Sequence, residues 1–298
     1  MFSFLPVPLR TVLSSGMFAL NTAFWCLLIY PFAFLRLLLP FSFVRNFTAK
    51  VMIWIAETWV SINNINLDLF QKVKWDLDLP LDISPNKSYL VISNHNSWMD
   101  IVIVQKVLNR KIPFLRFFLK KELIYVPLLG LAWWALDFPF MKRYSQDYLK
   151  KNPHKKGADM KTTRIACEKF KGHPVSVINF LEGTRFSEHK KQKQGSPYKY
   201  LLKPKAGGLA FVIGAMGEQF DSILDVTIIY PKGVKSLGQS FAGQLTDVVC
   251  RIQKRPIPAE ILAGNYLEDP VFREKTQTWI SGLWTEKDQL IEREMNKF

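Results

Sequence analysis

The sequence predicts an α/β domain behind N-terminal membrane-anchoring helices. Two observations carry that expectation. Short apolar runs rich in strand formers, at residues 89–92, 175–180 and 223–230, alternate with longer stretches of helical pattern, the order of a sheet covered by helices. Ahead of them, residues 11–35 contain no charged side chain, which is longer than the ~20 residues that cross a bilayer.

In chain order, the anchor takes residues 1–70 and the α/β domain residues 71–298. The uncharged stretch is too long for the core of a signal peptide, and no small-residue cleavage site stands out. Arg10 precedes it, while Arg36, Arg45 and Lys50 follow, a bias that places the rest of the chain on the cytoplasmic side. Pro31 and Pro40 predict a kink or break and then an interfacial segment. A second apolar stretch, residues 51–60, is short and contains Glu57. It reads either as an in-plane amphipathic helix or as the returning half of a two-helix anchor, with one true span preferred. Residues 72–87 read as strand and turn, punctuated by Pro80 and Pro85. After the strand at 89–92 a buried helix is expected over 98–108, then apolar residues at 131–140 and a basic, polar stretch at 142–161. Helices are expected at 163–171, 206–216 and 271–295, the last with Trp279, Leu283 and Trp284 on its apolar side. A half-buried strand is expected at 246–254.

The chain of 298 residues carries a net charge of +15, which favours anionic partners, and 14% aromatic residues, which suits contact with lipid. Cys26, Cys167 and Cys250 lie far apart, with neither metal spacing nor a disulfide framework, the usage of a reducing compartment. No zinc spacing, RNA-binding string or basic heptad pattern accompanies the charge, so no nucleic-acid partner is expected.

The chemistry concentrates where the 89–92 strand breaks into Ser93, Asn94, His95, Asn96 and Ser97 before the next helix. Ser97 is a natural N-cap, and Asp100 then falls in the first helical turn. On one continuous helix, residues five apart face different ways. With His95 on the turn, Asp100 can reach it, fix the imidazole tautomer and leave the other ring nitrogen as a base. A second cluster, Glu182, Gly183, Thr184 and Arg185, directly follows the 175–180 strand. The glycine permits close backbone approach, Arg185 offers a planar fork for a phosphate, and Glu182 can hold Arg185 or bind a hydroxyl. Residues 140–143, ending in Lys142 and Arg143, and residues 228–231, ending in Tyr230 and Pro231, are lesser signals; the second says little beyond a strand end.

The string N-H-x-S-x-x-D from Asn94 to Asp100 resembles the first motif of the glycerolipid acyltransferases of the lysophosphatidic acid acyltransferase type. Glu182 to Arg185 resembles that family's E-G-T-R block, with Leu181 where the family often has proline. Residues 140–143 resemble its acceptor-binding block without the usual glycine, and residues 228–231 its last strand-then-proline block. Phe186 and Ser187 extend the third block to the E-G-[TS]-R-F-[ST] form of a subgroup of PlsC-type enzymes with eukaryotic relatives. The resemblance implies a mixed sheet flanked by helices, glycerol-3-phosphate acyltransferase-like. It implies acyl transfer from an acyl thioester to a lysophospholipid hydroxyl, most of all lysophosphatidic acid to phosphatidic acid, with another headgroup as the alternative acceptor.

In that scheme His95 and Asp100 are the catalytic residues, while Asn94, Ser97, Lys142, Arg143, Glu182, Gly183, Thr184 and Arg185 bind substrate. No metal or cofactor is expected beyond the co-substrate, acyl-coenzyme A or acyl-acyl carrier protein. The expected surroundings are membrane lipids, in a bacterial inner membrane with the α/β domain facing the cytoplasm. The oxyanion would be met by backbone N–H groups at the turn or by a nearby cation. Two rivals are a serine hydrolase on Ser97 or Ser187, disfavoured because neither lies in a G-x-S-x-G elbow, and a non-enzymatic basic protein of membrane surfaces.

Overall fold

The computed structural model describes all residues except 1, 3, 40, 142–166, 169, 171, 263 and 267. The basic stretch at 142–161 and most of the helix expected at 163–171 therefore lie outside the described residues.

Two long helices open the chain, α1 (Val7–Leu38) and α2 (Ser42–Phe70). Pro31 does not break α1, which runs on to Leu38, and Pro40 lies outside the described residues. The second helix is also far longer than the expected 51–60. The pairs Ser14–Asn66, Asn21–Asn63 and Thr22–Trp59 count in opposite directions along the two helices, so they are antiparallel. These buried hydrogen bonds satisfy polar side chains that would otherwise be stranded between apolar helices. The first helix alone among the described residues is long and apolar enough to cross a membrane. It is also tied to the rest of the protein near both ends. The Arg10 guanidinium donates to the Ala242 carbonyl and Phe18 packs on Phe241, while Tyr30 donates to Leu128 and Arg36 pairs with Asp137 at 2.9 Å. In α2, Glu57 faces Arg110 at 3.8 Å and Asp68 pairs with Lys106 at 2.8 Å, which accounts for acids in an apolar segment.

The α/β domain is built on a six-stranded sheet in the order β1-β8-β7-β2-β6-β3. Its strands are β1 (Lys74–Asp78), β2 (Tyr89–Ser93), β3 (Leu115–Phe117), β6 (Ser176–Phe180), β7 (Ser222–Ile229) and β8 (Asp247–Arg255). A separate two-stranded piece pairs β4 (Leu119–Lys120) with β5 (Phe140–Met141). Neighbours from β7 through β3 are parallel; β8 runs antiparallel to β7, which makes the sheet mixed. The remaining helices are α3 (Met99–Leu108), α4 (Leu129–Ala135), α5 (Glu188–Gln194), α6 (Ala206–Met216), α7 (Leu237–Phe241), α8 (Ala259–Leu262) and α9 (Pro270–Met295).

All five residues of β2 are buried, as befits the middle of a sheet covered on both faces. Strand alternation sends Tyr89 and Val91 to one side, against α1, α2 and α3, and Leu90 and Ile92 to the other, against α6 and α9. The four β-branched residues 101–104 would suit a strand in isolation. Burial of Ile103, Val104, Val107 and Leu108 on one stripe makes them helical here. Parallel pairing sets where the turns emerge. Ser93, the last residue of β2, pairs with Phe180, the last of β6, so the two turns leave the sheet side by side. Tyr230 leaves β7 on the other flank of β2. Carboxyl ends of adjacent parallel strands are where open α/β sheets bind ligands.

Candidate active site

His95 stands on the turn after β2. Its Nδ1 lies 2.8 Å from Oδ2 of Asp100, in the first turn of α3. That oxygen also accepts the backbone N–H groups of Asn96 and Ser97 at 2.5 and 2.8 Å, and Oδ1 accepts the Tyr230 hydroxyl at 2.5 Å. A carboxylate that only accepts requires the proton on Nδ1, so Nε2 of His95 carries the lone pair. Among the described residues Nε2 has no hydrogen-bond partner. The imidazole face is covered by Phe180, with ring centroids 4.2 Å apart and planes inclined by 21°. Asp100 is fully buried, whereas the His95 side chain keeps 14% exposure, so the base side of the pair is the part that solutes can reach.

Helix α3 begins one residue later than expected. Trp98 occupies the cap position, and Ser97 uses its hydroxyl to accept the Met99 N–H and to donate to the Lys235 carbonyl at 2.9 Å. Backbone N–H groups at the turn were one expected source of oxyanion donors, and three of them are occupied: His95 N–H donates to Glu182, and those of Asn96 and Ser97 to Asp100. The turn spends its donors on its own carboxylates, leaving the neighbouring cations for any developing negative charge.

Asn94 is buried and strapped to Ile228, accepting from its N–H at 2.9 Å and donating to its carbonyl at 2.8 Å. It extends the β2–β7 pairing past the last ladder rung and faces no cleft. Glu182 is also fully buried. One oxygen accepts from His95 N–H at 3.1 Å and the other from Leu202 N–H at 3.2 Å, so it staples the two turns together. Among the described residues no ion pair joins it to Arg185. Burial pushes its carboxyl up to about 8, against the opposing pull of the two N–H donors. Gly183 has φ +69, a backbone conformation that favours glycine, and only the flexible end of the Lys205 side chain lies near where a Cβ would be, at 3.3 Å. The Arg185 guanidinium carbon stands 4.3 Å from the centre of the Trp98 ring; the residue is half-buried, with no acidic partner among the described residues. Lys190 of α5 donates from Nζ to Thr184 Oγ1 and to the Arg185 carbonyl, each at 2.8 Å, and so firms the outer half of the turn. Lys142 and Arg143 lie outside the described residues.

His95, Asp100 and the residues 182–185 thus share one site. Asn94, Ser97 and Glu182 form its frame, while Thr184 and Arg185 line its open side. Tyr230, Trp98, Phe180 and Lys190 join the site without having been expected there. Trp98 and Tyr230 lay in singled-out blocks but were given no role there; Phe180 owes its place to His95, distant in the chain, and Lys190 to Thr184 and Arg185 just before it.

The raised carboxyl of Glu182 has a thermodynamic consequence. Between pH ~4.5 and ~8 the folded state holds a proton that the unfolded state has lost, so this group's contribution to stability falls as pH rises and levels off above ~8. Thermal melts of the full chain and of E182Q, which cannot titrate there, are expected to converge or cross in wild type's disfavour from pH 5 to 8. A difference in Tm constant over that range would refute the assignment.

The family model described as Acyltransferase matches residues 76–232, over half of the chain and the whole of this site. The chain belongs to the acyltransferase family. It is 24% identical over 224 residues to lysocardiolipin acyltransferase 1 of Gallus gallus, covering 70% of this chain and 54% of that protein. It is 26% identical over 218 residues to 1-acyl-sn-glycerol-3-phosphate acyltransferase gamma of Homo sapiens, covering 68% and 52%. The chain thus spans about half the length of the curated relatives it matches. Among solved structures it is similar in fold to the 1-acyl-sn-glycerophosphate acyltransferase PlsC from Thermotoga maritima, with TM-score 0.52 and 17% identity over 92% of this chain and 95% of that one.

Proposed function

We propose that the chain moves a fatty acyl group from an acyl thioester to the free hydroxyl of a lysophospholipid at a membrane surface. The reading rests on one observation: an imidazole held by a buried carboxylate, with its free nitrogen open beside a turn whose guanidinium has no acidic partner among the described residues. His95 Nε2 takes the acceptor's hydroxyl proton as the oxygen attacks the thioester carbonyl. The carbonyl becomes a tetrahedral oxyanion, which collapses to the ester and expels the thiolate; the proton on His95 goes to that sulfur. No enzyme-bound acyl group and no metal or cofactor is needed. Arg185 grips the acceptor's phosphate, and lysophosphatidic acid is the acceptor this favours. The exposed apolar side chains of α1 and α2, among them Leu20, Phe24, Phe34, Phe43 and Trp54, meet lipid, where acceptor and product reside. We place the α/β domain on the cytoplasmic side, where acyl thioesters are made.

The test is acyl transfer by the purified full chain, offered a panel of lysophospholipids with acyl-coenzyme A and with acyl-acyl carrier protein. Formation of a diacyl product in at least one pairing is expected; none in any pairing removes the proposal. Within it, R185A is expected to raise the acceptor's KM by about 10–100-fold, the worth of a charge-assisted phosphate contact, with a smaller change in kcat. A change in the donor's KM alone would move Arg185 to the other substrate.

A further inference from the structure

The block at residues 228–231 resembles a strand end in sequence, yet it delivers a side chain to the centre of the site. Tyr230 follows β7 directly, its ring is buried to 5% exposure against the α3 side of the sheet, and its hydroxyl meets Oδ1 of Asp100 at 2.5 Å. Burial, and then the charge of Asp100, push this hydroxyl well above the ordinary phenol value, so it stays a donor throughout the working range. The remaining donors to Asp100 all converge on Oδ2. A carboxyl torsion is soft and roughly two-fold, so Oδ2 keeps its aim only if Oδ1 is also held.

We propose that Tyr230 is a positioning residue for His95, acting through Asp100: its hydroxyl fixes Oδ1 so that Oδ2 remains in line with Nδ1 of the imidazole. This rests on the reading of His95 as the base. The fold makes the arrangement possible because β7 and β2 are parallel neighbours, and their two exits deliver tyrosine and histidine to the two oxygens of one carboxylate. The other ionisable or polar groups facing this cluster are Glu182 on the opposite turn, Cys250 on β8 and the Ser97 hydroxyl, the last within hydrogen-bond reach of the Tyr230 hydroxyl itself.

In Y230F the carboxylate loses one donor. Its charge is less dispersed, it attracts the imidazolium form of His95 more strongly, and its orientation is less fixed. The expected result is a kcat about tenfold lower, as for loss of one hydrogen bond to a charged group, with both KM values within about twofold. The acidic limb of the kcat/KM profile is expected to move to higher pH. Incorporation of 3-fluorotyrosine at position 230 preserves the ring and makes the hydroxyl a stronger donor, and is expected to move the limb to lower pH. A purely structural role would lower Tm and total activity without moving the limb, and a limb that stays in place in both proteins overturns the proposal. Should the wild-type chain show no acyl transfer, the titration of His95 followed by NMR on 13C-histidine-labelled protein in detergent tests the same coupling. Opposite displacements in the two variants support it, and an unmoved titration overturns it.

Discussion

Replacing His95 by alanine is expected to lower acyl transfer by about 10²–10⁴-fold, the usual worth of a positioned general base, while the protein still folds and associates with membranes. The side chain can be spared structurally because its backbone, not its ring, makes the framework contacts. The His95 N–H is held by Glu182, and its carbonyl accepts from Phe186 at 2.7 Å. Loss of the ring uncovers Phe180 and removes one of four donors to Asp100, which keeps those of Asn96, Ser97 and Tyr230. Single-turnover transfer to a radiolabelled acceptor, with vesicle flotation as the control, checks it. Near wild-type turnover in H95A would end the base assignment.

Asp100→Asn is expected to cost a comparable 10²–10⁴-fold in kcat with little change in Tm, and D100A to cost the same activity together with much of the stability. The amide oxygen of asparagine can still accept from Asn96, Ser97 and His95, and its NH₂ can face the Tyr230 hydroxyl with that hydroxyl as acceptor. What it lacks is the negative charge that steadies the protonated imidazole. Alanine strands buried N–H groups and a phenol, at about 1–3 kcal/mol for each unsatisfied group. Activity assays paired with thermal melts separate the two effects. A D100N protein that keeps more than about a tenth of its turnover would show that the imidazole works without its carboxylate.

Both experiments concern residues that were legible in the chain. The spacing of His95 and Asp100 across a predicted strand–turn–helix boundary allowed them to meet, whereas on one continuous helix they would face different ways. The turn at Glu182–Arg185 was legible for the same local reason: glycine and arginine right after a buried strand. The roles within that turn were not. Glu182 was expected to serve Arg185 or a hydroxyl, but its carboxyl points inward and joins two backbones, since the register of β2 with β6 places the two turns within its reach. Arg185 rests on Trp98 instead, a partner far back along the chain that no local pattern announces. The anchor diverged likewise. Pro31 reads as a breaker, but its missing N–H costs one helical bond, which the packing of α1 against α2 and α4 outweighs: Ile29 and Ala33 on either side of it are buried in the main cluster.

By itself, then, the order of residues singled out His95, Asp100 and the Glu182–Arg185 turn as candidates and the kind of segment each sits on, because caps, turns and strand periodicity act over a few residues. Tertiary structure alone decided which of those side chains face the open site and which are consumed as framing, and it added Tyr230 to the pair. Those outcomes depend on strand order and register, and hydrogen bonds such as Tyr230 to Asp100 or His95 to Glu182 join residues that only the parallel alignment of β7, β2 and β6 brings within reach.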